Sequence, residues 1–193
     1  MKHHLNIKSL MIPADMETPV GIYLKIRDLY PMSALLESSD YHTSQNSVSY
    51  IGVCPIASFS VADETITATY PDGNSISEKI SSGIDVIDEL KKYIDSYELS
   101  GDTAPDINGL FGYTAYDAVR YFEAVNITKP DSKFAGIPDM KYLFYRYVIK
   151  LNHYKNQMVI YEHLSPGEES AIDELVSIIR NNNVAQYRFR SIG

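Results

Sequence analysis

Glu37, Ser38 and Ser39 follow the short apolar run Ala34-Leu35-Leu36, and Ser47 and Ser49 lie in a second apolar stretch, Ser47 to Cys54. A carboxylate and clustered hydroxyls, where one strand ends and another begins, admit two roles. They can cap a turn, or they can hold the polar end of a small ligand. The residue types alone leave both open. Other chemistry is sparse. His3 and His4 read as a solvated tail, and His42, His153 and His163 are scattered without metal-ligand spacing. Cys54 sits in an apolar strand before Pro55 and lacks the basic neighbour that would activate a thiol. There is no P-loop, and the glycines of "NGLFGY" lack the dinucleotide fingerprint. Asp102, Asp106, Asp131 and Asp139 stand beside Pro or Gly, where turn formation accounts for them.

The second unusual segment is "GLFGYTAYDAVRYFE", Gly109 to Glu123. Gly109 and Gly112 allow close approach of a neighbouring backbone. Tyr113 and Tyr116 flank the small pair Thr114-Ala115. Asp117 is placed to cap a helix over Ala118 to Glu123, and Arg120 and Glu123 are spaced to pair across one face of it. By residue type this reads as strand, turn and helix rather than an assembled acid–base site.

The elements that must position these groups come from composition and pattern. The chain has 193 residues, 45% hydrophobic and 22% charged, which suits one large domain with a real core. A formal charge of -8 argues against nucleic acid and against an anionic membrane surface. One cysteine excludes an internal disulfide and suits a reducing, cytoplasmic setting. No apolar run is long enough to span a bilayer, and the N-terminus lacks a signal-peptide core. The chain holds 16 Tyr, 6 Phe and no Trp, and tyrosine suits half-buried strands.

Val20, Ile22, Leu24 and Ile26 alternate, so Thr18 to Ile26 is predicted as a half-buried strand. Ser33 to Leu36 and Val48 to Val53 are predicted as buried strands, and a meander with a strong Asp72-Gly73 turn signal follows. Ile84, Ile87, Leu90, Ile94 and Tyr97 mark an amphipathic helix, with a loop from Ser100 to Asp106 behind it. Tyr142 to Leu151 and Met158 to Leu164 form a hairpin. Ser165, Pro166 and Glu168 form a capping box that opens a last helix with the stripe Ile172, Leu175, Val176 and Ile179. Helices do not alternate strictly with strands. The expectation is an α+β domain with mainly antiparallel sheet and no internal repeat. The terminal "VAQYRFRSIG" finishes no element, as the end of a cut chain would.

Three segments together resemble the N-terminal domain of anthranilate synthase component I. They are "ADMETPVGIYLKIRD", then "ALLESSD" with "SVSYIGVCP", then "NGLFGYTAYDAVRYFE", in the family's order and separation. The Leu-Leu-Glu-Ser run and the Gly-Tyr-x-x-Tyr-Asp-x-x-Arg-Tyr-x-Glu run carry the specificity. From the second run Gly112, Tyr113, Tyr116, Asp117, Arg120 and Glu123 are taken as a structural motif. The resemblance implies an enzyme that converts chorismate to anthranilate and pyruvate, with ammonia from a glutamine amidotransferase subunit. It also implies that 1–193 is a single regulatory and scaffolding domain whose C-terminal chorismate-binding domain is absent. The chain alone would then be inactive, with no catalytic residue and no cofactor of its own, and magnesium would belong to the missing domain.

The resemblance further implies an L-tryptophan feedback site between the two domains, lined here by Leu36, Glu37, Ser38 and Ser39. Ser49 and Tyr50 are further candidates, because the family's strand carries a Tyr-Ser pair after an arginine. This chain has Ser47, Val48, Ser49 and Tyr50 there, without that arginine. Glu37 would pair with the ligand's ammonium, while the Ser38 hydroxyl and strand-end amides would bind its carboxylate. The indole would lie on Leu36, Tyr50 or Ile51. Burying an indole of ~200 Å² at ~25 cal/mol per Å² gives roughly 5 kcal/mol. Half a pocket gives about half of that, below the ~4 kcal/mol lost on association, so binding by this chain alone is expected to be weak, about millimolar or worse. Two rivals stay open. One is the related aminodeoxychorismate synthase component I; anthranilate fluorescence from the full-length gene product would separate it. The other is a stand-alone amino-acid-binding or interaction module, which a stop codon after Gly193 would favour.

Overall fold

The computed structural model describes residues 2–37, 47–81, 84–104, 107–125 and 136–181. The first half contains β1 (His3–Pro13), α1 (Pro19–Ile26), β2 (Ala34–Leu36), β3 (Val48–Ala62), β4 (Thr65–Thr69) and β5 (Ser75–Lys79). The second half contains α2 (Val86–Asp95), β6 (Tyr97–Gly101), β7 (Phe111–Thr114), a 3-10 helix (Tyr116–Tyr121), β8 (Met140–Asn152), β9 (Gln157–Leu164) and α3 (Ile172–Arg180). Among the described residues nine strands join in the hydrogen-bonded order β5-β4-β3-β8-β9-β1-β6, with β2 added to β3 and β7 to β8. β1 and β6 run parallel, whereas β2–β3, β3–β4, β4–β5, β7–β8 and β8–β9 are antiparallel. The class is α+β with a mostly antiparallel sheet, as the pattern predicted.

Contacts group the chain into two compact units, and the long strands contribute to both. One unit comprises Met1–Ile7, Pro55–Arg146 and His163–Glu168. Its core gathers Phe59, Val61, Ile66, Tyr93, Met140 and Phe144, among others. The other comprises Lys8–Cys54, Tyr147–Glu162 and Glu169–Gly193. Its core gathers Ile22, Ile26, Ile51, Val53, Ile149, Met158, Ile160, Leu175 and Ile179, among others. The boundary in β3 falls after Cys54, which takes a φ of 58°. That is a left-handed conformation uncommon for a side chain of this size, and it interrupts the strand's extended run.

Several predicted elements change type. Thr18 to Ile26 is helix, not strand. Thr18 accepts from the Gly21 amide as N-cap, Pro19 fills the first turn, and Ile22 and Ile26 face the core one turn apart. An alternating pattern that contains an i,i+4 pair satisfies either period, and the cap decides it. His3 is not a tail residue: it begins β1 and pairs with Tyr97 of β6, a strand whose last residues were predicted as loop. In α2 the buried side chains are Val86 and Tyr93, while Ile87 and Ile94 are exposed; Asp85 caps the helix. The Ser165 amide does donate to Glu168, as a capping box would have it, but that closes a turn and α3 begins later. The predicted stripe of α3 holds, with Leu175, Val176 and Ile179 buried. In the β3–β4 turn, Asp63 and Glu64 both take positive φ, the geometry of a tight hairpin of the primed kind.

Candidate functional site

In the β2–β3 ladder Ala34 faces Gly52, Leu35 faces Ile51 and Leu36 faces Tyr50. Directly opposed residues share a face of the sheet. Leu35 and Ile51 therefore take the inner face, where Ile51 is fully buried and Leu35 packs on the same core. Leu36, 44% exposed, and the half-buried Tyr50 form a pair on the outer face. Glu37 follows directly beyond the last pair and is exposed. The ladder thus brings Leu36, Tyr50 and Glu37 together at one strand end. Ser38 and Ser39 lie outside the described residues.

Ser49 alternates onto the inner face with Ile51 and is fully buried. Its hydroxyl lies 2.8 Å from Nε2 of His153, which follows β8. The His153 amide in turn donates to the Ser47 carbonyl at 3.1 Å. Two hydrogen bonds therefore tie the β8–β9 turn to the start of β3. The Ser47 hydroxyl is only 5% exposed as a residue and has no hydrogen-bond partner among the described residues. His153 was missed at the level of sequence, since a lone histidine 104 residues from its partner leaves no local signal.

The motif residues sit in the other unit. Gly112 pairs with Tyr142, and a Cβ there would overlap the Lys141 carbonyl oxygen and lie 2.7 Å from Tyr142 Cα. This is the close approach expected of Gly112; Gly109 has nothing within 4 Å of the same position. Asp117 does not cap a helix: Ala115 occupies the cap position, and Asp117 lies inside the 3-10 turn. Arg120 does not take Glu123, which is exposed, as its ion-pair partner. It reaches Asp139, with Nη2 2.6 Å from Oδ2, and donates from Nη1 to the Asp117 carbonyl. Tyr121 donates its hydroxyl to the same carboxylate at 2.8 Å, and its ring lies 4.7 Å from the Arg120 guanidinium. Burial works against the Arg120 charge, but the Asp139 hydrogen bond and its other neighbours hold its pKa above the ordinary value. The Tyr121 phenol is pushed up, first by burial and then by Asp139. Asp139, read from sequence as a turn residue, is the centre of a lock that fastens the 3-10 turn to the start of β8. Tyr113 and Tyr116 are exposed, at 41% and 87%.

No protein-family model matches the chain. Over 156 residues it is 31% identical to anthranilate synthase component 1 of Thermus thermophilus, matching 81% of this chain and 31% of that protein. The protein of that name from Acinetobacter calcoaceticus is 26% identical over 160 residues, covering 82% of this chain and 32% of the relative. The Mycolicibacterium smegmatis protein is 30% identical over 151 residues, with 76% and 27% covered. The solved structure of anthranilate synthase component I from Streptococcus pneumoniae is 19% identical, with a TM-score of 0.47 over 86% of this chain and 34% of that chain. The chain spans about a third of the length of the curated relatives it matches.

Proposed function

Taking as premise that the chain is a relative of anthranilate synthase component 1, homologous over 31% of the Thermus protein's length, we propose that it is the regulatory and scaffolding part of such an enzyme. The complete cytoplasmic protein would convert chorismate and ammonia to anthranilate and pyruvate, the ammonia coming from a glutamine amidotransferase subunit. This part contributes no catalytic residue. It holds the feedback inhibitor, L-tryptophan, at the end of the β2–β3 ladder.

The observation that carries the reading is the exposed Leu36 beside Tyr50 on one face, with the Glu37 carboxylate immediately beyond. An amino acid's ammonium pairs with Glu37 in a charge-assisted contact, and its indole lies against Leu36 and the Tyr50 ring. The Ser38 hydroxyl, with Ser39 beside it, and strand-end amides receive the carboxylate. Ser49 has a different task. Buried on His153, it fixes the part of β3 that presents Tyr50. Tryptophan bound here favours a domain arrangement that disfavours turnover, a coupling of about 1–3 kcal/mol.

Magnesium is implied for the complete enzyme. It would belong to the chorismate-binding domain that this chain does not include; among the described residues no group of three or more His, Cys, Asp or Glu is placed to hold a metal ion, and no step of this reading runs through one.

The test is inhibition of the complete enzyme that bears this sequence. Glu37→Ala or Ser38→Ala should raise the half-inhibiting tryptophan concentration roughly tenfold or more, in line with the coupling energy. Variants that lose turnover yet keep normal tryptophan sensitivity would sink the assignment.

A further inference from the structure

In the unit that contains α2, a cavity of about 770 Å³ opens between that helix and the β4–β5 hairpin. Its floor is apolar: Phe59, Ile66 and Ala68 are all buried. Its wall is aromatic. The Tyr70 and Tyr93 rings stand 5.4 Å apart, and the His3 ring stacks on Tyr70 at 4.6 Å. The Tyr93 hydroxyl donates to the Thr69 carbonyl and accepts from Tyr97, so Tyr93 offers the cavity its ring rather than its hydroxyl. Burial raises the pKa of the Tyr93 phenol and pushes that of Tyr97 up to about 12, so these two phenols stay uncharged across the physiological range. The Tyr70 hydroxyl makes no hydrogen bond among the described residues and remains available to a ligand.

The lining carries three carboxylates, Glu78, Glu89 and Asp95, against two ammonium groups, Lys2 and Lys92. Both lysines are already engaged. Lys92 pairs with Glu89 at 2.6 Å, and Lys2 donates to the Asp95 carbonyl at 2.7 Å and lies 3.7 Å from the Glu98 carboxylate. The Glu78 and Asp95 carboxylates have no ion-pair partner among the described residues. Neutral π faces above an apolar floor, with surplus negative charge at the mouth, attract a cation on an apolar body and repel an anion.

We propose that this cavity binds a small organic cation, an ammonium carried on a flat aromatic or alkyl body that lies along Tyr70 and Tyr93. The site is distinct from the β2–β3 ladder and does not depend on the function proposed above.

The test uses two probes with the same indole body and opposite charge, tryptamine and indole-3-propionate. The chain has no tryptophan, so indole emission reports the ligand alone. Tryptamine should give a saturable blue shift and bind roughly tenfold more tightly than indole-3-propionate. The double variant Glu78→Gln/Asp95→Asn should weaken tryptamine roughly three- to tenfold. Ile76→Lys places a like charge at the mouth on a side chain already 56% exposed, and it should weaken tryptamine without unfolding the chain. All titrations use the Glu37→Ala background, because the β2–β3 ladder proposed above would also take an indole-borne ammonium through Glu37. Equal affinity for the two probes overturns the proposal. So does the absence of any tryptamine shift in that background, or a charge variant that binds normally.

Discussion

Lys25 sets its ammonium 2.6 Å from the carbonyl of Ile179, one residue before the end of α3. The same ammonium reaches the Glu17 carboxylate at 3.1 Å, and both side chains are largely buried. At the other end of α3, the buried Glu162 accepts from the Ser170 hydroxyl and the Ala171 amide. A cation at the last turn and a carboxylate at the first match the helix dipole and satisfy terminal groups that the helix leaves unpaired. α3 is thereby fastened at both ends by side chains from other elements of its unit.

Replacing Lys25 by Met should therefore cost more than a surface ion pair does. The Glu17 carboxylate, only 19% exposed, would lose that cation and the Ile179 carbonyl its donor. A loss of roughly 1–3 kcal/mol in unfolding free energy is expected, read from the shift of the urea midpoint. Lys25→Met/Glu17→Gln should recover part of it, because no unpaired charge remains. A single variant as stable as the parent would contradict the role given to this contact.

His163 predicts a pH dependence. Burial holds the imidazole below its ordinary pKa, against the opposing pull of the Arg146 carbonyl, and Nε2 has no partner among the described residues. The unfolded chain takes up a proton near ~6.5, whereas the folded chain does so only at lower pH. The unfolded state thus binds more protons in that window. Stability from this group is complete above ~6.5 and falls as pH drops through the window toward the folded value. Urea midpoints compared at two pH values on either side of that limit should show a slope that His163→Leu flattens. An equal slope in both proteins would contradict it.

Gly112→Ala should destabilise by roughly 1–3 kcal/mol, since the new methyl drives β7 away from Lys141 and Tyr142. Gly109→Ala, where the same position is open, should change the melting temperature little. Reversal of that order in thermal melts would show that the β7–β8 approach yields easily.

What was legible in the sequence were the features written locally. The hairpin β8–β9, the Asp72-Gly73 turn and the α3 stripe all rest on periods and turn residues a few positions apart. α1 was misread because Ile22 and Ile26 fit a strand's alternation as well as one helical turn, and the Thr18 cap with Pro19 was the deciding signal. The Arg120–Asp139 lock and the Ser49–His153 contact could not be read in this way. Their partners are 19 and 104 residues apart, and only the folded sheet brings them together. The β2–β3 site is proposed on the Leu-Leu-Glu-Ser resemblance. The alternation then sorts Leu36 and Tyr50 from Ser49 by face.

The central claim is that this chain carries a tryptophan site at the end of the β2–β3 ladder. Its most direct test is a titration of the 193-residue chain with L-tryptophan, followed by the ligand's own emission, which no residue of the chain obscures. The account predicts a weak, saturable blue shift, at about millimolar concentration or higher, that Glu37→Ala abolishes. Emission unchanged up to the solubility limit, or a shift that survives Glu37→Ala, would contradict it.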